Sequence, residues 1–104
     1  MTGDVSPRWL PVRVVATRIA EGSVRAAALV EEFTDAERRL RHLNAFVRHD
    51  GEEAGAAAEG APEGPLGGVA LAHKDMFHRD GRVTTCGSRL FAGVAAEGTA
   101  TVLQ

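Results

Sequence analysis

Cysteine is almost missing from this 104-residue sequence. Cys86 stands alone, so no internal disulfide can form and no companion thiol exists for a structural zinc site. The ordinary role of such a residue is a small side chain in a loop. Long apolar runs are missing as well: no stretch approaches the roughly 20 residues that a membrane helix needs, and the start Met1-Thr2-Gly3-Asp4 lacks the charged and apolar regions of a signal peptide. These absences predict no membrane association and a cytoplasmic location. Charge of one sign is equally scarce, since 12 basic and 14 acidic residues, net −2, are scattered over both halves. Without a basic stripe to track a phosphate backbone, nucleic acid is not expected as a direct partner. Nor do the glycines at 64, 67 and 68 form a phosphate loop, because Lys74 is neither preceded by glycine nor followed by Ser or Thr. They read as a turn.

What is present is a 44% apolar, 25% charged composition, that of a globular chain of at most one domain. A chain this short buries only roughly two-thirds of the surface its unfolded form exposes, so one small core is all it holds alone.

After Ser6-Pro7 and Pro11, the residues Val12, Val14, Val15 and Ile19 interleave with Arg13 and Arg18 up to Gly22, which predicts a short amphipathic helix closed by glycine. Ser23 is placed to cap a second helix. In it Leu29, Phe33, Ala36, Leu40 and Leu43 recur at the steps of four and three that mark one helical face. Asp35 with Arg39, and Glu37 with Arg41, stand at i,i+4 for weak pairing on the other side. The stripe reads as a core-facing surface, because sustained heptads are missing for a coiled coil. Asn44-Ala45-Phe46-Val47-Arg48 has the character of a short strand. Gly51 to Gly64, almost wholly Gly, Ala, Glu and Pro, is either a frayed helix around Ala54 to Glu59 or an exposed connector.

Beyond the turn, Val69-Ala70-Leu71-Ala72 is a continuous apolar run of the kind found in strands covered on both faces, and a strand is expected over residues 69 to 73. Such a strand needs neighbours, so unusually large exposed apolar area is expected too. Asp80-Gly81 reads as a second turn, Thr84-Thr85-Cys86-Gly87-Ser88 as a polar loop, and Gly98 to Leu103 as the first turn of a helix.

Lys74 stands at the exit of the apolar run. A lysine there either extends its stem to water or loses solvation, which disfavours the ammonium and leaves a neutral amine usable as a general base. Asp75 follows at once. Successive strand side chains point to opposite faces, so Asp75 need not neutralise Lys74 if the strand continues that far, and its ordinary role is a turn or cap acceptor. His73 and His78 flank the lysine without an acidic or cysteine constellation, which does not make a metal site.

The ordered segment Gly64-Pro65-Leu66-Gly67-Gly68-Val69-Ala70-Leu71-Ala72-His73-Lys74-Asp75-Met76-Phe77, with Thr84-Thr85-Cys86-Gly87-Ser88, Gly98-Thr99-Ala100-Thr101 and the upstream Asn44-Ala45-Phe46-Val47, resembles the stretch around the catalytic lysine in amidase signature enzymes. That family includes general amidases and amidotransferase subunits. The resemblance covers nearly the whole chain. It implies a serine hydrolase with a Ser, cis-Ser, Lys triad in which Lys74 takes the lysine's place, acting through the cis-serine on the nucleophile. It further implies attack on an amide carbonyl, backbone amides holding the oxyanion, and departure of ammonia or an amine. The substrate implied is a small-molecule amide, and no cofactor or metal is called for.

In the family both serines lie in a Gly/Ser-rich segment well downstream of the lysine. This sequence has no Gly-Gly-Ser-Ser-Gly-Gly stretch. Residues 1–104 are therefore expected to be the N-terminal fragment of a single amidase domain, supplying only the base and inactive alone. Ser88 lies in the loop beside the lysine region and not in the nucleophile's segment, and its ordinary role is a loop hydroxyl bonded to nearby backbone. Thr84 and Thr85 share that role, with orientation of the triad as the functional alternative. The fold class expected is α/β: N-terminal helices and the first strands of a mixed central sheet covered by helices, incomplete in this chain, with self-association through open sheet edges. The competing reading is a non-catalytic helical interaction module, or a truncated product that binds a partner, suggested by the Leu29 to Leu43 stripe.

Overall fold

A computed structural model describes residues 5–60 and 63–104. The Met1-Asp4 start and Ala61-Pro62 of the expected connector lie outside the described residues. The chain divides into two compact units, Met1–Ala70 and Leu71–Gln104.

The first unit holds three α-helices, α1 (Val12–Ala20), α2 (Ala26–Leu40) and α3 (Gly51–Glu59). α1 forms where the apolar residues return every third or fourth position, and it buries Val15. Its end is a Schellman turn: the Ser23 N–H donates to the Arg18 carbonyl at 2.9 Å and the Gly22 N–H to the Ile19 carbonyl at 3.0 Å. Gly22 sits at φ 75°, a conformation glycine adopts without steric cost. Ser23 therefore does not cap α2. Its hydroxyl donates back to the Arg18 carbonyl at 3.1 Å, and α2 begins three residues later behind Arg25 with no side-chain cap.

α2 continues as a 3-10 turn over Arg41–Leu43, and Asn44 in the left-handed region (φ 50°) ends it. Both expected i,i+4 ion pairs are present: Arg39 with Asp35 at 3.0 Å and Arg41 with Glu37 at 3.1 Å. On the apolar face Ala26, Leu29 and Val30 are buried, Leu29 to 2% exposure. Farther along the stripe, however, Phe33, Leu40 and Leu43 stay exposed. α3 packs along α2, and its first residue requires glycine: a Cβ on Gly51 would stand 2.8 Å from the Thr34 hydroxyl oxygen. That hydroxyl is itself 3.0 Å from His49 Nε2. A second tie comes from Ser6, whose hydroxyl donates to Glu32 at 2.6 Å and holds the Pro7–Trp9 turn to α2.

The turn at 64 to 68 is present, with the Gly67 and Val69 amides bonded back to the Gly64 and Leu66 carbonyls, each at 3.0 Å. It brings Gly68 (φ 76°) so close to α1 and α2 that a Cβ there would stand 2.9 Å from the Ala26 Cβ and 3.1 Å from Ile19. Val15, Leu29, Phe33, Leu10 and Val69 line an open apolar pocket of about 170 Å³ in this unit.

Two expectations are corrected. Residues 69 to 73 form neither strand nor helix, and Leu71 is 72% exposed. Residues 44 to 48 are likewise irregular, with Val47 80% exposed. A strand exists only through the partners that take its backbone groups, and among the described residues none pairs with either stretch. The α/β class is thus not realised in these residues, whose regular structure is helical. One isolated antiparallel bridge, Val83 with Ala95, is the β pairing described. Among the described residues no helix is long and apolar enough to cross a membrane.

Candidate functional site

Lys74 and its neighbourhood lie in the second unit, where loops replace helices and hydrogen bonds hold the backbone. A turn follows Lys74 directly: its carbonyl accepts the Met76 N–H at 2.7 Å and the Phe77 N–H at 3.3 Å, and His73 Nδ1 lies 3.2 Å from the same oxygen. The Lys74 side chain is exposed.

Asp75 ties this turn to the Thr84–Ser88 loop. One carboxylate oxygen accepts the Thr85 N–H at 3.1 Å and the other accepts the Thr85 hydroxyl proton, while the Asp75 carbonyl accepts the Cys86 N–H at 3.1 Å. The expected role of Asp75 as an acceptor in a turn is observed, with a partner ten positions away that local turn patterns do not name. The Thr85 oxygen also accepts the Gly87 N–H at 3.1 Å, which orients its own proton toward Asp75.

Residues 85 to 88 form a left-handed turn. The Ser88 N–H donates to the Thr85 carbonyl at 2.8 Å, and both central residues have positive φ, Cys86 at 50° and Gly87 at 72°. This is the pattern of a type I′ turn. Glycine fits its place there, and cysteine is an uncommon occupant. The Cys86 thiol is free and exposed.

The remaining hydroxyls are occupied by backbone. Thr84 is buried and donates to the Phe77 carbonyl at 3.4 Å. The Ser88 oxygen accepts the Leu90 N–H at 3.2 Å and caps the 3-10 turn Arg89–Phe91. The structure therefore joins the Lys74 turn to Thr84 and Thr85 through Phe77 and Asp75, and it joins Ser88 to Thr85 through the main chain. It does not bring the Lys74 ammonium into a hydrogen bond with any of the three hydroxyls. Among the described residues no group of three or more His, Cys, Asp or Glu side chains converges as a metal site.

The rest of the unit closes around this loop. The Gly81 N–H bonds the Ala96 carbonyl and the Ala96 N–H the Arg82 carbonyl, both at 2.9 Å, and the Ala100 N–H bonds the His78 carbonyl at 2.8 Å. Thr99 accepts the Asp80 N–H at 3.0 Å. The Gly98 to Leu103 stretch ends in a 3-10 turn over Thr101–Leu103, where the sequence predicts the first turn of a helix. With Lys74 open to water and every loop hydroxyl engaged, the arrangement presents a base on a braced turn and no activated nucleophile.

Among known proteins the chain is similar to the A chain component of glutamyl-tRNA(Gln) amidotransferase from Thiobacillus denitrificans, 36% identical over 98 residues that cover 86% of this chain and 20% of the relative. It is also similar to the same component from Bordetella bronchiseptica, 38% identical over 93 residues, 83% of this chain and 18% of the relative. With that of Bordetella petrii the identity is 33% over 110 residues, 99% of this chain and 22% of the relative. The chain spans about a fifth of the length of these curated relatives. No protein-family model matches it, and no solved structure does.

Proposed function

The chain belongs to the amidase signature family, and on that premise we propose that Lys74 is the general base of an amide-cleaving Ser, cis-Ser, Lys site whose serines lie outside these residues. What carries the reading is that the likeness to a glutamyl-tRNA(Gln) amidotransferase component runs over 99% of the chain, so it takes in Lys74 and the Thr84–Ser88 loop together. The reaction is acyl transfer: the nucleophilic serine gives up its proton along the cis-serine to the neutral Lys74 amine, attacks the amide carbonyl, and expels ammonia or an amine. The substrate class is a small-molecule amide. The relatives' designation as amidotransferases favours release of ammonia for transfer to an acceptor.

A base of this kind works as a neutral amine, and exposure to water favours the ammonium. The reading therefore assigns to the remainder of a single amidase domain the task of covering Lys74. The same cover would pair with residues 69 to 73 and make them the strand that their apolar run suggests, giving the α/β sheet that the helices here do not form by themselves. Phe33, Leu40 and Leu43, exposed along α2, are the helical surface that such a remainder would bury. They equally suit a second reading, in which the chain is an interaction module that binds a partner or itself.

The test joins this chain to the serine-bearing remainder of the Thiobacillus denitrificans relative and follows single-turnover hydrolysis of an aryl amide. Lys74→Ala should slow the chemical step by roughly 10²–10⁴-fold, and Lys74→Arg nearly as much, because guanidinium stays protonated. Near-normal turnover in Lys74→Ala would remove the lysine from the mechanism. The 104-residue chain alone should show no hydrolysis and no labelling by a fluorophosphonate; labelling at Ser88 would make that serine the nucleophile instead.

A further inference from the structure

We infer that Asp75 is a positioning residue for Lys74, acting through Thr85 to lock the lysine's turn onto the Thr84–Ser88 loop; this rests on the reading of Lys74 as base. Lys74 lies in a stretch with neither helix nor strand, so no regular element fixes its backbone. The next residue supplies the fixing. Three donors from two consecutive residues, the Thr85 N–H, the Thr85 hydroxyl and the Cys86 N–H, converge on the side chain and carbonyl of Asp75.

The clamp has a direction. Thr85 accepts from Gly87 at 3.1 Å, which turns its proton toward Asp75, and the left-handed Cys86-Gly87 pair is what curls the loop so that these donors point one way. Hydrogen bonds to a charged acceptor are about twice as strong as neutral ones. On the far side of Asp75, the Lys74 carbonyl is held by the Met76 and Phe77 amides. The Lys74 α-carbon is thus pinned between two bonded peptide groups, while its side chain stays free to reach a neighbouring serine. A catalytic group must be held within about 0.5 Å of its productive place, and a displacement near 1 Å costs about 10²-fold in rate.

The experiment uses two arms. In the 104-residue chain, amide hydrogen exchange at Thr85 and Cys86 should speed up at least about 10-fold in Asp75→Ala. In the joined enzyme, Asp75→Ala should lower kcat on an aryl p-nitroanilide by about 10- to 100-fold with KM within about twofold, the split expected of a misplaced base. Thr85→Val keeps the shape and the N–H but removes the hydroxyl, and should lose about 10-fold in kcat. Thr85→Ser keeps both donors and should stay within about twofold of the parent.

A merely structural role would lower the melting temperature of Asp75→Ala and Thr85→Val without this kcat pattern, and would overturn the proposal. So would unchanged exchange at Thr85 and Cys86 in Asp75→Ala, whether or not the joined enzyme is active. If Asp75→Ala does not fold, the Thr85→Val and Thr85→Ser pair decides alone, and equal kcat in the two removes the clamp from the mechanism. Loss of activity in Lys74→Ala with normal kcat in Asp75→Ala defeats the positioning role and leaves the base in place. Normal activity in Lys74→Ala defeats the base first.

Discussion

Cys86 occupies a backbone conformation that suits it poorly. An L side chain in the left-handed region costs roughly 1–2 kcal/mol, and asparagine bears that cost best because its short amide bonds locally. Cys86→Asn, which creates the Asn-Gly pair that type I′ turns favour, should therefore raise the opening free energy of the Ser88 amide by about 1 kcal/mol, read from hydrogen exchange. No change at Ser88 would mean the turn is held by Asp75 alone. A second residue-scale expectation concerns Glu37. Its hydrogen bond from Arg41 holds its carboxyl below the usual glutamate value, assisted by nearby positive charge, and the same bond raises Arg41. A depressed carboxyl adds stability that is present above the ordinary glutamate pKa and is lost as pH falls through the depressed value. Arg41→Ala should move the Glu37 titration upward toward that ordinary value, as followed by carboxyl carbon NMR, and an unmoved titration would show that the bidentate contact is absent in solution. Lys74 is legible from the ordered residues around it. The pairing of Asp75 with Thr85 is not, because it depends on a left-handed turn at a cysteine, a residue that does not announce positive φ.

At the scale of elements, spacing locates α1 and α2 because a helix carries its hydrogen bonds within itself, and the repeat of Leu29 and Phe33 with the paired charges needs no distant partner. The start of α2 misleads for a local reason: Ser23 has a hydroxyl suited to capping, but the glycine ahead of it turns the chain so that the hydroxyl closes α1 instead. The apolar run at 69 to 73 carries strand character that only neighbouring strands can realise, and the described residues supply none. Gly68 is the residue that seats the turn on α1 and α2. Gly68→Ala combines a positive φ with a 2.9 Å approach to Ala26 and should cost about 1–3 kcal/mol, seen as faster exchange in the last turn of α1. Unchanged exchange there would show that the turn does not sit on the helices.

For the molecule as a whole, burial is the scarce quantity. Among the described residues the buried apolar side chains are Val15, Ala26, Leu29 and Val30, and no large side chain is fully buried. Each of the larger ones contributes about 1.5–3 kcal/mol, little against the entropy of ordering the chain. The purified chain should melt broadly and associate with rising concentration, as calorimetry and sedimentation would record. A sharp two-state melt of a monomer would contradict this. The contact between Asp75 and Thr85 spans ten positions, and its consequence is kinetic. Loops of about ten residues close in roughly 10–100 ns, whereas a ribosome adds only about 5–20 residues per second. As soon as Ser88 has emerged, the lysine's turn can take its final form and await the serines, so the order of synthesis places the base before the nucleophile arrives.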